Sequence, residues 1–200
     1  MKIETIVFDL GKVLFDFDFA SVFDYARSCG AKHENLSDFA NAIDQSAYER
    51  GAISTKQFIA RVQDQLSQPL APDQIASRWQ NIFTPCEDML ALQRRLRNRH
   101  QVLILSNTNE LHWDFLIEKF ALESLADGTV ASFKVGALKP GVEIYRAAET
   151  TFKLKPESTV FIDDIYLNVG GAKALGWHGI HHTKFSETVS ELRALGVDID

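Results

Sequence analysis

Thr5-Ile6-Val7-Phe8 is a strand-like run that stops at Asp9 and continues as Leu10-Gly11-Lys12. The same punctuation recurs twice. Val102-Leu103-Ile104-Leu105 stops at Ser106, and Val160-Phe161-Ile162 stops at Asp163. Continuous rather than alternating hydrophobicity belongs to strands covered on both faces, as in a parallel sheet. Open α/β sheets bind ligands outside the carboxyl ends of their strands, where these three polar residues stand. Thr129 to Phe133 and Gly179 to His182 are shorter strand candidates. Thr84-Pro85-Cys86-Glu87 reads as a capping box with Pro at the first helical position, which predicts a helix from about 85 to 98. Pro140 is expected to open another, through about Phe152. The fold class is α/β, with a doubly wound parallel sheet.

Residues 17–84 are of another kind. They hold no strand-like run but repeat helical spacings: Phe19, Val22, Phe23, Ala26; then Phe58, Ile59, Val62, Leu66; then Ile75, Trp79, Ile82, Phe83. Ser54-Thr55-Lys56-Gln57 is a capping box that opens the second set. The division is a core of residues 1–16 and 85–200, interrupted by four helices over 17–84.

The bulk properties bound the function only loosely. Two hundred residues can bury roughly 70% of the chain's surface, enough for a core and a small second lobe. A charge of −6, from 21 basic and 27 acidic residues, argues against nucleic-acid or anionic-membrane partners. No apolar run approaches a membrane span, and no signal peptide precedes the first strand. Cys29 and Cys86 read as reduced, buried thiols, which fits a cytoplasmic protein.

Chemistry gathers in four stretches: Phe8-Asp9-Leu10-Gly11, Leu105-Ser106-Asn107-Thr108, Leu138-Lys139-Pro140 and Phe161-Ile162-Asp163-Asp164. They offer a carboxylate nucleophile, a hydroxyl, an ammonium and a carboxylate pair. Adjacent carboxylates repel unless a cation or a proton intervenes. Such a set can hold Mg2+ and a phosphate together, as phosphoryl transfer requires.

The order and spacing of these motifs resemble the haloacid dehalogenase superfamily over residues 3 to about 180. The subgroup with Phe-Asp-Leu-Gly-x-Val and Leu-Ser-Asn-Thr-Asn contains glucose-1-phosphate phosphatases and lies near the N-terminal phosphatase domain of soluble epoxide hydrolase. The resemblance implies a Rossmann-like core with a small α-helical cap inserted after the first strand. It implies that Asp9 attacks phosphorus and forms an aspartyl-phosphate. Asp164, Asp9 and the backbone carbonyl of Gly11 would hold the metal, with Asp163 acting through a bound water. Ser106 and Lys139 would bind phosphate oxygens, and Lys139 would also keep Asp9 ionised. Asn107 is a further candidate contact to phosphate or substrate.

Gly11 departs from most of the superfamily, which carries there a second Asp as general acid; the subgroup shares the glycine. General acid help is worth ~10²–10⁴-fold, so its absence should favour easily expelled leaving groups such as an anomeric hydroxyl. If the side chain fits, Gly11→Asp should raise activity on poor leaving groups. Asp16 or Asp18 could substitute, although polar residues at a helix start explain them as well. Lys12 replaces the usual Gly or Asn and could narrow the cleft or touch an anionic substrate.

His181 and His182 lack metal-ligand spacing and are expected to face solvent. His112 and Trp113 could line the cleft, Trp113 more as packing. Tyr48, Glu49 and Arg50 sit mid-insert, where a lid would present a substrate-reading group. The expected activity is hydrolysis of a small phosphomonoester, with a sugar phosphate such as an aldose 1-phosphate favoured. The alternatives are a 2-haloacid dehalogenase, whose fourth motif typically replaces the acidic pair, and a binding protein that keeps the fold but has weakened catalysis.

Overall fold

The computed structural model describes residues 2–199. Chain order runs β1 (Thr5–Phe8), β2 (Phe15–Phe17), α1 (Phe19–Ser28), α2 (Leu36–Ala42), α3 (Gln45–Glu49), α4 (Thr55–Asp64), α5 (Pro72–Gln80) and β3 (Phe83–Pro85). There follow α6 (Glu87–Leu96), β4 (Gln101–Ser106), α7 (Glu110–Phe120), α8 (Leu122–Leu125), β5 (Gly128–Ala131), α9 (Ser132–Val135) and α10 (Val142–Phe152). The last elements are β6 (Thr159–Asp163), α11 (Tyr166–Ala174), β7 (His178–His181) and α12 (Phe185–Ala194).

Five strands form one parallel sheet in the order β5-β4-β1-β6-β7. Its two faces feed separate apolar layers, as the continuous runs require. Ile6 and Phe8 of β1 pack with Leu92, Leu96 and Trp113, while Val7 packs with Ile144, Tyr145 and Trp177. The chain moves from β1 out to β4 and β5, then returns to the other side of β1 for β6. This is the reversal of strand order beside which α/β proteins form their binding crevice. Asp9 follows β1, Ser106 ends β4 and Asp163 ends β6, so three adjacent strand ends deliver three polar groups to one rim.

Among the described residues, five helices rather than four lie between β2 and β3. The stretch from 36 to 49 is broken at Asp44, whose backbone is left-handed (φ 54°), giving two short helices in place of one. These helices share a separate apolar cluster around Phe39, Tyr48, Phe58 and Trp79. Ser54 and Gln57 form the expected capping box of α4. The Thr84 capping box does not form. Thr84 pairs with Asp16 in an antiparallel two-stranded ribbon of β2 and β3, so the next helix starts at Glu87 with Cys86 as its cap. The helix expected from Pro140 begins at Val142, because a turn closed by Gly141 N–H to the Leu138 carbonyl (2.8 Å) comes first. Ser132 and Phe133 leave the strand expected of them and enter α9. Cys29 and Cys86 are free thiols; Cys29 is buried and Cys86 half-buried. No helix among the described residues is long and apolar enough to cross a membrane.

Candidate active site

A cavity of about 240 Å³ opens over the carboxyl ends of β1, β4 and β6. Asp9, Gly11, Ser106, Asn107, Lys139 and Asp164 line it from the core side, and Phe19, Gln45 and Glu49 from the helical insert. Asp163 stands just beneath. Carboxylate oxygens of Asp9, Asp163 and Asp164 lie within 4.8 Å of one another, a spacing and donor set suited to a hard divalent cation. The residues present fit Mg2+.

Lys139 holds the carboxylates together. Its buried ammonium lies 2.6 Å from Asp9 Oδ1 and 2.7 Å from Asp163 Oδ2, and it donates to the Leu105 carbonyl at 3.2 Å. All three of its donors are therefore engaged. Two carboxylates push the Lys139 pKa up against the opposing effect of burial. Burial in turn pushes Asp9 up, and the Lys139 charge only partly offsets this. Lys139 acts in the expected direction, favouring the ionised Asp9, and a dication beside the carboxyl would add to it. Asp164 is half-buried, and its pKa is raised by burial and then by the Asp163 charge.

Asp163 is fully buried. Its oxygens accept from Lys139, from the Ile165 N–H (2.7 Å) and from Asn168 Nδ2 (3.1 Å). Asn168, which also lines the cavity, escapes a reading of motifs because only the first turn of α11 brings it back under β6. Asn107 has a structural role beside the expected one. Its amide donates to the Lys139 carbonyl (3.1 Å) and accepts from the Lys139 N–H (2.8 Å). These two bonds fasten the Lys139 loop, and the second Nδ2 hydrogen is left for a ligand in the cavity that Asn107 lines. Ser106 Oγ has only a long bond, 3.3 Å, to the Asn107 carbonyl.

The two proposed substitutes for the general acid are engaged elsewhere. Asp16 forms an ion pair with Lys12, and Asp18 caps α1 by accepting from the Ser21 N–H at 3.1 Å. Lys12 also donates to the Phe17 carbonyl and lies over the Phe17 ring, so it does not line the cavity. Its backbone is left-handed (φ 57°), which explains why Gly or Asn suits that position. A Cβ on Gly11 would meet Phe17 Cε1 at 2.7 Å, so Gly11→Asp does not fit unless that ring moves.

His181 and His182 are not solvent-facing: both are half-buried. His181 Nε2 is 2.9 Å from the Asp164 carbonyl, and His182 Nδ1 is 2.7 Å from Thr188 Oγ1. Trp113 is core. Of the mid-insert residues, Tyr48 is buried and stacked on Phe58, Arg50 is exposed, and Glu49 reaches the cavity.

His112 lines the cavity but is fastened between elements. Asn109 Nδ2 donates to its Nδ1 (3.0 Å), its Nε2–H donates to the Trp79 carbonyl (3.0 Å), and its ring stacks on Trp79. Burial pushes its pKa down from 6.5 to about 4. Between those values the unfolded chain binds a proton that the folded chain does not. Stability should be complete above pH 6.5 and fall as pH drops through the window, by roughly 3 kcal/mol at its acid end. Thermal melts at pH 7 and 4.5 should differ less in His112→Gln than in the wild type; an unchanged difference would refute this.

Against this geometry, comparisons with known proteins agree in one direction. The family model for haloacid dehalogenase-like hydrolases matches residues 3–176. A sesquiterpene phosphatase of Aspergillus oryzae is 28% identical over 193 residues, covering 94% of each chain. D-ribitol-5-phosphate phosphatase of Bacteroides thetaiotaomicron is 26% identical over 189 residues, covering 88% of this chain and 89% of that one. The crystal structure of a haloacid dehalogenase family enzyme from Bacteroides thetaiotaomicron superposes with a TM-score of 0.83 at 25% identity, over 96% of this chain and 99% of that one. The wild-type form of that enzyme was also crystallised with magnesium and inorganic phosphate; at 24% identity (TM-score 0.82, 94% and 98% covered) it speaks to the fold alone. With the family match spanning four of the five sheet strands and all four polar stretches, this chain belongs to the haloacid dehalogenase-like hydrolases.

Proposed function

We propose that the protein is a magnesium-dependent phosphatase of a small phosphorylated metabolite in the cytoplasm, with a sugar phosphate such as an aldose 1-phosphate as substrate. The observation that carries this reading is the intact acidic cluster of Asp9, Asp163 and Asp164 around Lys139, beside Ser106 in one cavity. A dehalogenase needs no metal and no such pair. Asp9, Asp164 and the Gly11 carbonyl would hold Mg2+, with Asp163 reaching it through water. When bound, the ion neutralises phosphate charge and orients the phosphoryl group. Asp9 supplies the attacking carboxylate oxygen. Ser106 donates to a phosphate oxygen, and Lys139 keeps positive charge beside the nucleophile. The named activities of the two curated relatives support a small phosphomonoester. The rings of Phe17, Phe19 and Phe83 along the cavity favour a second reading, the monophosphate of an apolar alcohol.

Hydrolysis of p-nitrophenyl phosphate should need Mg2+ and stop in chelator, whereas metal-free turnover of a 2-haloacid would overturn the proposal. A panel of aldose 1-phosphate, pentitol phosphate and prenyl monophosphate separates the two substrate readings. Asp164→Asn should raise the Mg2+ concentration for half-maximal activity by about tenfold or more, the cost expected for losing a direct ligand. Asp163→Asn should change it far less and lower the melting temperature instead, because its oxygens already serve Lys139 and Asn168. Equal metal effects would refute that division of labour.

A further inference from the structure

In a phosphoryl transfer the attacking and leaving oxygens lie roughly in line, so the leaving oxygen faces away from Asp9, toward the helical insert. Gly11 offers no proton there, and the Phe17 ring closes the space where its side chain would project. Besides Asp9, four titratable groups line the cavity among the described residues: Glu49, His112, Lys139 and Asp164. Lys139 is held between Asp9 and Asp163, Asp164 belongs to the acidic cluster, and both His112 nitrogens are bonded.

Glu49 is different. Its Oε1 accepts from Gln45 Nε2 at 2.8 Å, and no other described residue bonds its carboxyl. Burial pushes its pKa up, toward the protonated form an acid requires. Its position is fixed from the core. Ser132 Oγ donates to the Glu49 carbonyl at 2.6 Å, the neighbouring Tyr48 hydroxyl accepts from the Leu111 N–H at 3.2 Å, and Gly51 is packed against the Phe133 backbone.

We propose that Glu49, delivered by α3, is the general acid that protonates the leaving group, in place of the carboxyl that Gly11 lacks. This rests on the phosphatase reading above. As Asp9 bonds to phosphorus, the ester P–O bond breaks and its electron pair goes to the leaving oxygen. That oxygen takes the Glu49 proton and departs as the alcohol. The Glu49 carboxylate then takes a proton from water, whose oxygen attacks the aspartyl-phosphate; the bond to Asp9 breaks and inorganic phosphate leaves. A primary alcohol becomes an acceptable leaving group, which lifts the restriction expected from Gly11 alone.

The test compares wild type and Glu49→Gln, with Mg2+, on p-nitrophenyl phosphate and a primary alkyl phosphate. For the alkyl ester, kcat/KM should fall by ~10²–10⁴-fold in the variant. For p-nitrophenyl phosphate, whose leaving group needs no proton, kcat/KM should stay within about threefold. Its kcat should drop, with a burst of p-nitrophenol as the aspartyl-phosphate accumulates. The p-nitrophenyl kcat/KM doubles as the control for folding. An equal fall in kcat/KM for both esters, or a loss carried by KM alone, would overturn the assignment and make Glu49 a binding residue. No Mg2+-dependent turnover of either ester by the wild type would instead sink the phosphatase reading, and this inference with it.

Discussion

Asp9→Asn should cut turnover of p-nitrophenyl phosphate by at least about a thousandfold, because the amide cannot form the covalent intermediate on which the two-step route depends. The fold should not suffer. Asp9 is a buried carboxyl that burial already biases against ionisation, and Lys139 keeps Asp163 as its partner when Asp9 is neutral. The melting temperature should therefore stay level or rise slightly while activity disappears. Retention of more than about a tenth of wild-type activity would remove Asp9 from the role of nucleophile. A collapse in stability together with activity would mean that the carboxylate is needed to hold the site, not to react.

Lys139→Met should do the reverse, with a large cost in stability. The methionine fills the volume but leaves two buried carboxylates facing each other without a cation, and breaking a buried pair in this way costs ~3–5 kcal/mol. At about 2–4 °C per kcal/mol for a chain of this size, the melt in chelator should move down by roughly 10 °C or more. The deficit should be largest at alkaline pH and shrink as pH falls and the Asp9 carboxyl, already biased by burial toward its neutral form, takes up a proton. Adding Asp163→Asn should restore part of the loss, since one of the opposed charges is then gone. An unchanged melt for Lys139→Met would mean that the ammonium contributes nothing to folding.

The sheet was legible because its strands are buried on both faces: Val102 to Leu105 and Val160 to Ile162 have no polar residue to disguise them. Their terminal polar residues were legible for the same reason, as the first polar groups after an apolar run. What stayed hidden depended on partners distant in sequence. Thr84 satisfies a capping pattern locally, yet pairing with Asp16 across the ribbon prevails. Asn107 reads only as a substrate contact, and its second role, bonding the backbone of Lys139 thirty-two residues on, has no local signal. Phe19 and Phe83 follow helical spacing that reads as core, but the crossing of the insert turns part of each ring to the cavity. Glu49 was visible only as a polar residue in mid-insert. Nothing in its neighbours announces that Ser132 will pin its carbonyl or that Glu49 will line the cavity.

The two-stranded ribbon gives the protein a modular seam. Phe17 and Phe83 are direct partners across it, so the chain enters and leaves the helical insert at nearly one point. A short turn could bridge those two residues, because ends already in contact make loop length a weak penalty. The helices between them can therefore be lengthened, shortened or exchanged without re-threading β1 and β4 or disturbing the charges around Lys139. Inheritance can then act on two tracts at different paces: a core that changes slowly because it must break a phosphate ester, and an insert that, outside the Glu49 segment, can drift to follow whatever alcohol that ester carries.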